Sequence, residues 1–169
     1  MSDLQTQLAT TLEPKAQKII KKLHASGEKT VEFFGQIAPD QWLTPVYTEG
    51  ASWTVQHILG HFVSSEASIS RLVKYILQGL PGVPENFNLD KFNEREVECF
   101  IKVKPEAALQ RFQETRRETI ELVSQMSADD LATEGRHPWL GVAPVEEMLQ
   151  LMYRHNQIHQ RDIRKTLNL

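Results

Sequence analysis

The chain has 169 residues, of which 40% are hydrophobic and 24% charged, with a formal net charge of −3; this is the balance of one ordinary globular domain over residues 1–169. The slightly acidic charge lacks the basic footprint that a phosphate-backbone partner needs, so no nucleic-acid partner is expected. No run approaches the roughly 20 apolar residues of a membrane span, no apolar signal region follows Met1, and the single cysteine rules out an internal disulfide; a cytoplasmic protein without a membrane partner is expected.

Taken in order, the chain is nearly all helix signal. Leu4, Leu8 and Leu12 open a short amphipathic segment, interrupted by Pro14 at a first-turn position. Ile19, Leu23, Val31, Phe34 and Ile37 then repeat at helical spacing from Lys15 to Ile37, with Gly27 as a point of weakness or kinking. Pro39 to Ser52 reads as a loop pinned to the bundle by Trp42 and Tyr47. A second long helix starts near Trp53 and Thr54 and runs to about Gln78, where a stretch with two glycines and two prolines ends it.

A short helix through Cys99 follows Asn88–Asn93. Pro105 suits the first turn of a third long helix ending near Met126. Ser127 begins another cap-like turn, Gly135–Gly141 is a loop, and Pro144 to Leu169 forms the last helix. No strand is expected. Cys99, flanked by Glu96 and Glu98, is a poor candidate nucleophile and reads as a small core residue. The pattern predicts an all-α fold, a four-helix bundle with short extra helices in its connections.

The last helix carries a chemical anomaly. Val145, Met148, Leu149, Met152, Ile163 and Leu167 form an apolar stripe, yet His159 lies inside it, Asn156 near its middle and His155 on its border. Buried imidazoles need partners, and histidines four apart on one helix can point at one divalent ion. Two core histidines bonded to other side chains are the alternative. On the second helix His57 and His61 repeat the same spacing. His61 lies about 100° from the stripe centre, and His57 is turned further toward solvent, so His61 is the better inward ligand. Two histidines from one helix and one from another can build a site inside a bundle, with a position left open for water or substrate.

The segment Trp53-Thr54-Val55-Gln56-His57-Ile58-Leu59-Gly60-His61 resembles the W-S/T…H segment of the DinB/YfiT-like superfamily. Asn88–Asn93, the His137-Pro138-Trp139-Leu140-Gly141 loop and the closing His155–His159 pair are similar to further motifs of one branch, in the same order. The resemblance implies an up-down-down-up bundle, commonly a homodimer. It also implies a divalent metal held by His61, His155 and His159, with no counterpart required for His57; imidazole ligands suit zinc, nickel, copper or iron, of which zinc or nickel is expected first.

Characterised relatives of that kind include thiol-dependent transferases and isomerases. The expected function is therefore a metal-dependent enzyme acting on a small molecule, in particular an S-transferase using a low-molecular-weight thiol. The alternatives are a non-catalytic metal-binding or stress-response dimer and a metal-dependent hydrolase. Further pocket candidates have two readings each. Asn156 stands where HExxH peptidases carry their general base, and is either a partner of the site or a core amide. Glu66 either orients an imidazole or forms a salt bridge to an arginine. His137 is a loop residue at the mouth of the site, and Arg154, Arg161 and Arg164 either bind a cofactor's carboxylates or form a solvated face.

Overall fold

The computed structural model describes residues 12–50 and 52–169; Leu4 and Leu8 of the first amphipathic segment lie outside them. Among the described residues the elements run α1 (Pro14–Gly35), β1 (Pro45–Tyr47), β2 (Trp53–Thr54), α2 (Val55–Leu77) and α3 (Leu89–Glu98). They continue with α4 (Pro105–Ser124), α5 (Ala128–Ala132), β3 (Glu134–His137), β4 (Gly141–Pro144) and α6 (Val145–Leu167). Local chemistry sets the helix starts. Pro14 and Pro105 occupy first-turn positions of α1 and α4, where a missing N–H costs nothing. The Asn88 side chain accepts from Lys91 N at 2.9 Å to cap α3, and Ser127 with Asp130 forms a capping box on α5.

Side-chain partners give the direction of each long helix. Lys15 meets Glu146 and Gln160 meets Thr30, so α1 and α6 run parallel. Glu66 meets Arg116 and Ser70 meets Thr119, so α2 and α4 also run parallel. Phe34 of α1 packs on Phe62 of α2, and Ala16 at the opposite end of α1 shares a cluster with Val73, Ile76 and Val123, which makes the two pairs antiparallel. The bundle is up-down-down-up, as the resemblance implies.

Two apolar clusters fill it. One lies around Leu23, Ile76, Met148 and Leu149, the other around Phe34, Phe62, Phe112 and Ile163. Polar contacts cross the bundle between them. The Arg116 guanidinium donates to both Glu66 oxygens at 2.6 and 2.8 Å and to Leu23 O at 2.7 Å, all in the interior. Gly27, expected as a weak point, lies in an unbroken α1, where a Cβ would sit 3.3 Å from Arg116 Cγ. Its missing side chain makes room for the stem of Arg116.

The structure corrects the absence of strands. β1 and β2 pair antiparallel with an irregularity between Pro45 and Tyr47, and β3 pairs with β4 in register from Glu134↔Pro144 to His137↔Gly141. Segments of two to four residues are too short for an alternating pattern to stand out. Both ladders lead directly into the helices that carry the histidines. Gly82, at φ 96°, bridges to Arg136 of β3, and a Cβ there would come within 2.3 Å of Arg136 O, so only glycine fits this approach. Cys99, read as a core residue, is exposed at the end of α3, whose narrow apolar side buries only Val97.

Candidate metal centre

Three imidazoles converge between α2 and α6. His61 Nε2 lies 2.9 Å from His155 Nε2, which lies 2.9 Å from His159 Nε2. One nitrogen from each, all within 4.8 Å of one another, could reach a common ion. The start of α2 explains why His61 joins this group and His57 does not. Thr54 is the N-cap; its side chain accepts from His57 N, and Thr54 N donates to His57 Nδ1 at 3.0 Å. The imidazole of His57 thus takes the part usually played by a glutamate in a capping box. One turn later His61 faces inward, with the Trp53 ring 4.7 Å from its own.

The first ladder delivers a residue that sequence reasoning missed. The Tyr47 hydroxyl donates to Asp162 Oδ2 at 2.8 Å and lies 2.7 Å from His159 Nδ1. A phenol has a single proton, so Tyr47 can meet His159 only as an acceptor. The proton of His159 therefore sits on Nδ1, and Nε2 presents a lone pair to the triad. Asp162 lies one turn after His159 on α6, a spacing that could have marked it as a neighbour. Tyr47 is 112 residues from His159, and no local pattern announces it.

Burial holds the triad neutral. It lowers the pKa of His155 to about 4, opposed by Asn156, and that of His159 to about 3, helped by His155. His61 is pushed well below the usual range by burial first and then by the two neighbouring imidazoles. Neutral imidazole is the ligand form. With His159 Nε2 a lone pair, His155 Nε2 must donate to it; it then has nothing left for His61, because one ring nitrogen makes one in-plane bond. No placement of protons satisfies both 2.9 Å contacts. An ion at the point of convergence would accept all three lone pairs. His61 Nδ1 is buried without a partner among the described residues.

The other candidates separate cleanly. Glu66 is 2% exposed and its carboxylate is taken by Arg116, so the salt-bridge reading holds and it orients no imidazole. Asn156 is buried beside His155, its amide nitrogen without a partner among the described residues. His137 is not a loop residue at the mouth: it ends β3, is 5% exposed and lines the cavity that the triad borders. Arg154, Arg161 and Arg164 are exposed and do not line that cavity; Arg164 stacks over Phe33 instead. The cavity measures about 700 Å³.

An up-down-down-up bundle with three histidines meeting between its second and last long helices defines a class of possible metal-site bundle proteins. The sequence matches the profile of the DinB superfamily over residues 22–163, and the chain belongs to that superfamily. No curated protein matches it by sequence. Solved structures give the same fold. YfiT from Bacillus subtilis, described as a probable metal-dependent hydrolase with an unusual four-helix bundle topology, superposes with a TM-score of 0.73 at 19% identity over 89% of this chain and 85% of its own. The mycothiol-dependent maleylpyruvate isomerase gives 0.72 at 15% identity over 88% of this chain, which spans 60% of that enzyme. The colibactin self-resistance protein ClbS, in complex with a double-stranded DNA, gives 0.71 at 14% identity over 90% of this chain and 94% of its own. With a DNA complex among its structural neighbours, the fold gives no ground against nucleic acid, and that expectation rests on the charge of this chain alone.

Proposed function

We propose that His61, His155 and His159 hold one divalent ion, zinc or nickel, and that the protein is a metal-dependent enzyme acting on a small molecule bound in the adjoining cavity. The observation that carries this reading is the pair of 2.9 Å contacts among three neutral Nε2 atoms that protons alone leave unsatisfied. Imidazole donors suit zinc and nickel, and three protein ligands leave a further position open. Such an ion supplies Lewis acidity, lowering the pKa of a thiol or water that reaches it. The chain's own residues prepare the site: Tyr47 and Asp162 fix the proton of His159, Trp53 packs on His61, and a mostly apolar cavity adjoins the three rings.

Among the possible chemistries we favour transfer to or from a low-molecular-weight thiol. Cys99 is exposed at the end of α3 and does not line the cavity, so a thiol nucleophile would come from outside the chain. The shared fold of a mycothiol-dependent enzyme supports this. Metal-dependent hydrolysis is the second reading, supported by the likeness to YfiT. A non-catalytic metal-binding or stress-response module has no need of a cavity of about 700 Å³ beside the triad. One domain, a homodimer and a cytoplasmic location complete the reading; among the described residues no helix is long and apolar enough to cross a membrane.

The cobalt-substituted protein tests it. Titration with small thiols is expected to produce sulfur-to-metal charge-transfer absorption that disappears in His155→Ala, together with thiol consumption against a test electrophile. Silence with every thiol, alongside hydrolysis of a test ester, would replace transfer by hydrolysis.

A further inference from the structure

The cavity beside the triad carries a second recognition element, built by the β3–β4 hairpin. His137 closes β3, and the chain turns back so that Trp139 N and Leu140 N both donate to its Nδ1, at 3.1 and 3.2 Å. A ring nitrogen that accepts two N–H groups bears the lone pair, so the single proton of neutral His137 is on Nε2. Burial, aided by His155, lowers the pKa of His137 to about 4 and keeps it in that neutral form. With Nδ1 turned toward its own turn, Nε2–H is the ring edge left for the cavity, and among the described residues it has no partner. The result is a fixed donor, oriented by backbone and independent of any metal.

The surrounding wall is mostly hydrocarbon. Leu72 of α2, Phe87 and Phe92 beyond it, and Leu151 and Ile158 of α6 line the space. Arg71 and Asp90 are the charged side chains of the lining, and both are exposed at its edge. A polyol or polyanion would find few partners here, whereas an aryl or alkyl body would bury much of its surface.

We infer that the cavity selects a hydrophobic compound, aromatic or long-chain, whose carbonyl-type oxygen accepts a hydrogen bond from His137 Nε2–H and is thereby placed beside the triad. His137 is a specificity-determining residue, and the substrate class is an apolar carbonyl compound or a similar oxygen-bearing electrophile. This deepens the reading of the site as an enzyme and rests on it only for what happens to the bound compound.

The solvatochromic naphthyl ketone Prodan is a suitable probe, with a flat apolar body and one carbonyl. Titrated into chelator-treated wild-type protein, it is expected to bind saturably at one per chain with blue-shifted emission. Ile158→Asp, which places a charge at a half-exposed wall position, should abolish that binding. The two amide variants separate the roles of the ring nitrogens. His137→Asn offers an oxygen near Nδ1 and no donor near Nε2, so the hairpin and Tm are preserved while the probe binds about tenfold more weakly. His137→Gln carries a donor near the Nε2 position and should regain most of the affinity at some loss of Tm. Saturable binding without metal that weakens in His137→Asn upholds the inference even if zinc never binds. Zinc uptake by a protein that does not bind the probe, or equal affinity in wild type and a folded His137→Asn, overturns it and leaves the metal reading intact.

Discussion

The Tyr47 hydroxyl, held by Asp162 at 2.8 Å, dictates which nitrogen of His159 carries the proton. A two-residue contact across the bundle thereby prepares a ligand atom with no charge of its own. Burial and the hydrogen bond to Asp162 push the Tyr47 pKa well above the ordinary phenol value, so the phenol keeps the proton that it donates.

Removing that contact should weaken the site without unfolding the chain. Tyr47→Phe leaves the ring, which packs near Trp53 and His159, and deletes only the hydroxyl. Zinc affinity, measured by competition with a chromophoric chelator, is expected to fall roughly 10–100-fold, as when partners of metal-bound histidines are lost. Asp162→Asn should show a smaller loss, because an amide oxygen can still accept from Tyr47. Unchanged affinity in a folded Tyr47→Phe protein would remove the relay from the account.

The pair Glu66–Arg116 supports the bundle rather than the triad. Both side chains are almost fully buried, at 2% and 4% exposure, so cutting one partner strands a charge. Glu66→Gln should cost on the order of 3–5 kcal/mol in urea denaturation. The fraction that stays folded should still bind metal as tightly as the wild type. Lost metal binding with unchanged stability would give Glu66 the other role considered for it.

Much of this was legible in the chain. The apolar spacing of Ile19, Leu23 and Phe34 and of Ile58, Phe62 and Val73 placed α1 and α2 to within about two residues, because long amphipathic helices repeat their signal several times. The same wheel set His61 inward and His57 aside, which the cap on Thr54 explains. Tyr47 was invisible as a site residue, since its partner is 112 positions away and its strand is three residues long. His137 reads as loop because a four-residue strand that contains Gly135 and is followed by Pro138 resembles a turn more than a ladder. Cys99 was misplaced by residue type, small and apolar, where α3 has almost no buried face to receive it.

Buried neutral histidines give the metal-free protein an acid-sensitive stability. The folded-state pKa values of His137 and His155, about 4, and of His159, about 3, lie below the ordinary 6.5 of an unfolded chain. The unfolded state therefore binds more protons below pH 6.5, and stability is present in full above that pH and lost as the pH falls toward 4. The urea midpoint of chelator-treated protein should drop between pH 7.5 and pH 5. A midpoint that stays level or rises over that interval would mean that these rings take up protons in the folded protein.

Metal content measures the central claim most directly. Purified protein dialysed against equimolar zinc and nickel and then desalted should carry one divalent ion per chain by elemental analysis. His61→Ala, His155→Ala and His159→Ala should each lose it while keeping their helical circular dichroism, and His57→Ala should keep it with a slightly lower Tm from the weakened cap. Full retention of the ion by His155→Ala, whose Nε2 contacts both other rings, or its loss from a folded His57→Ala, would contradict the site described.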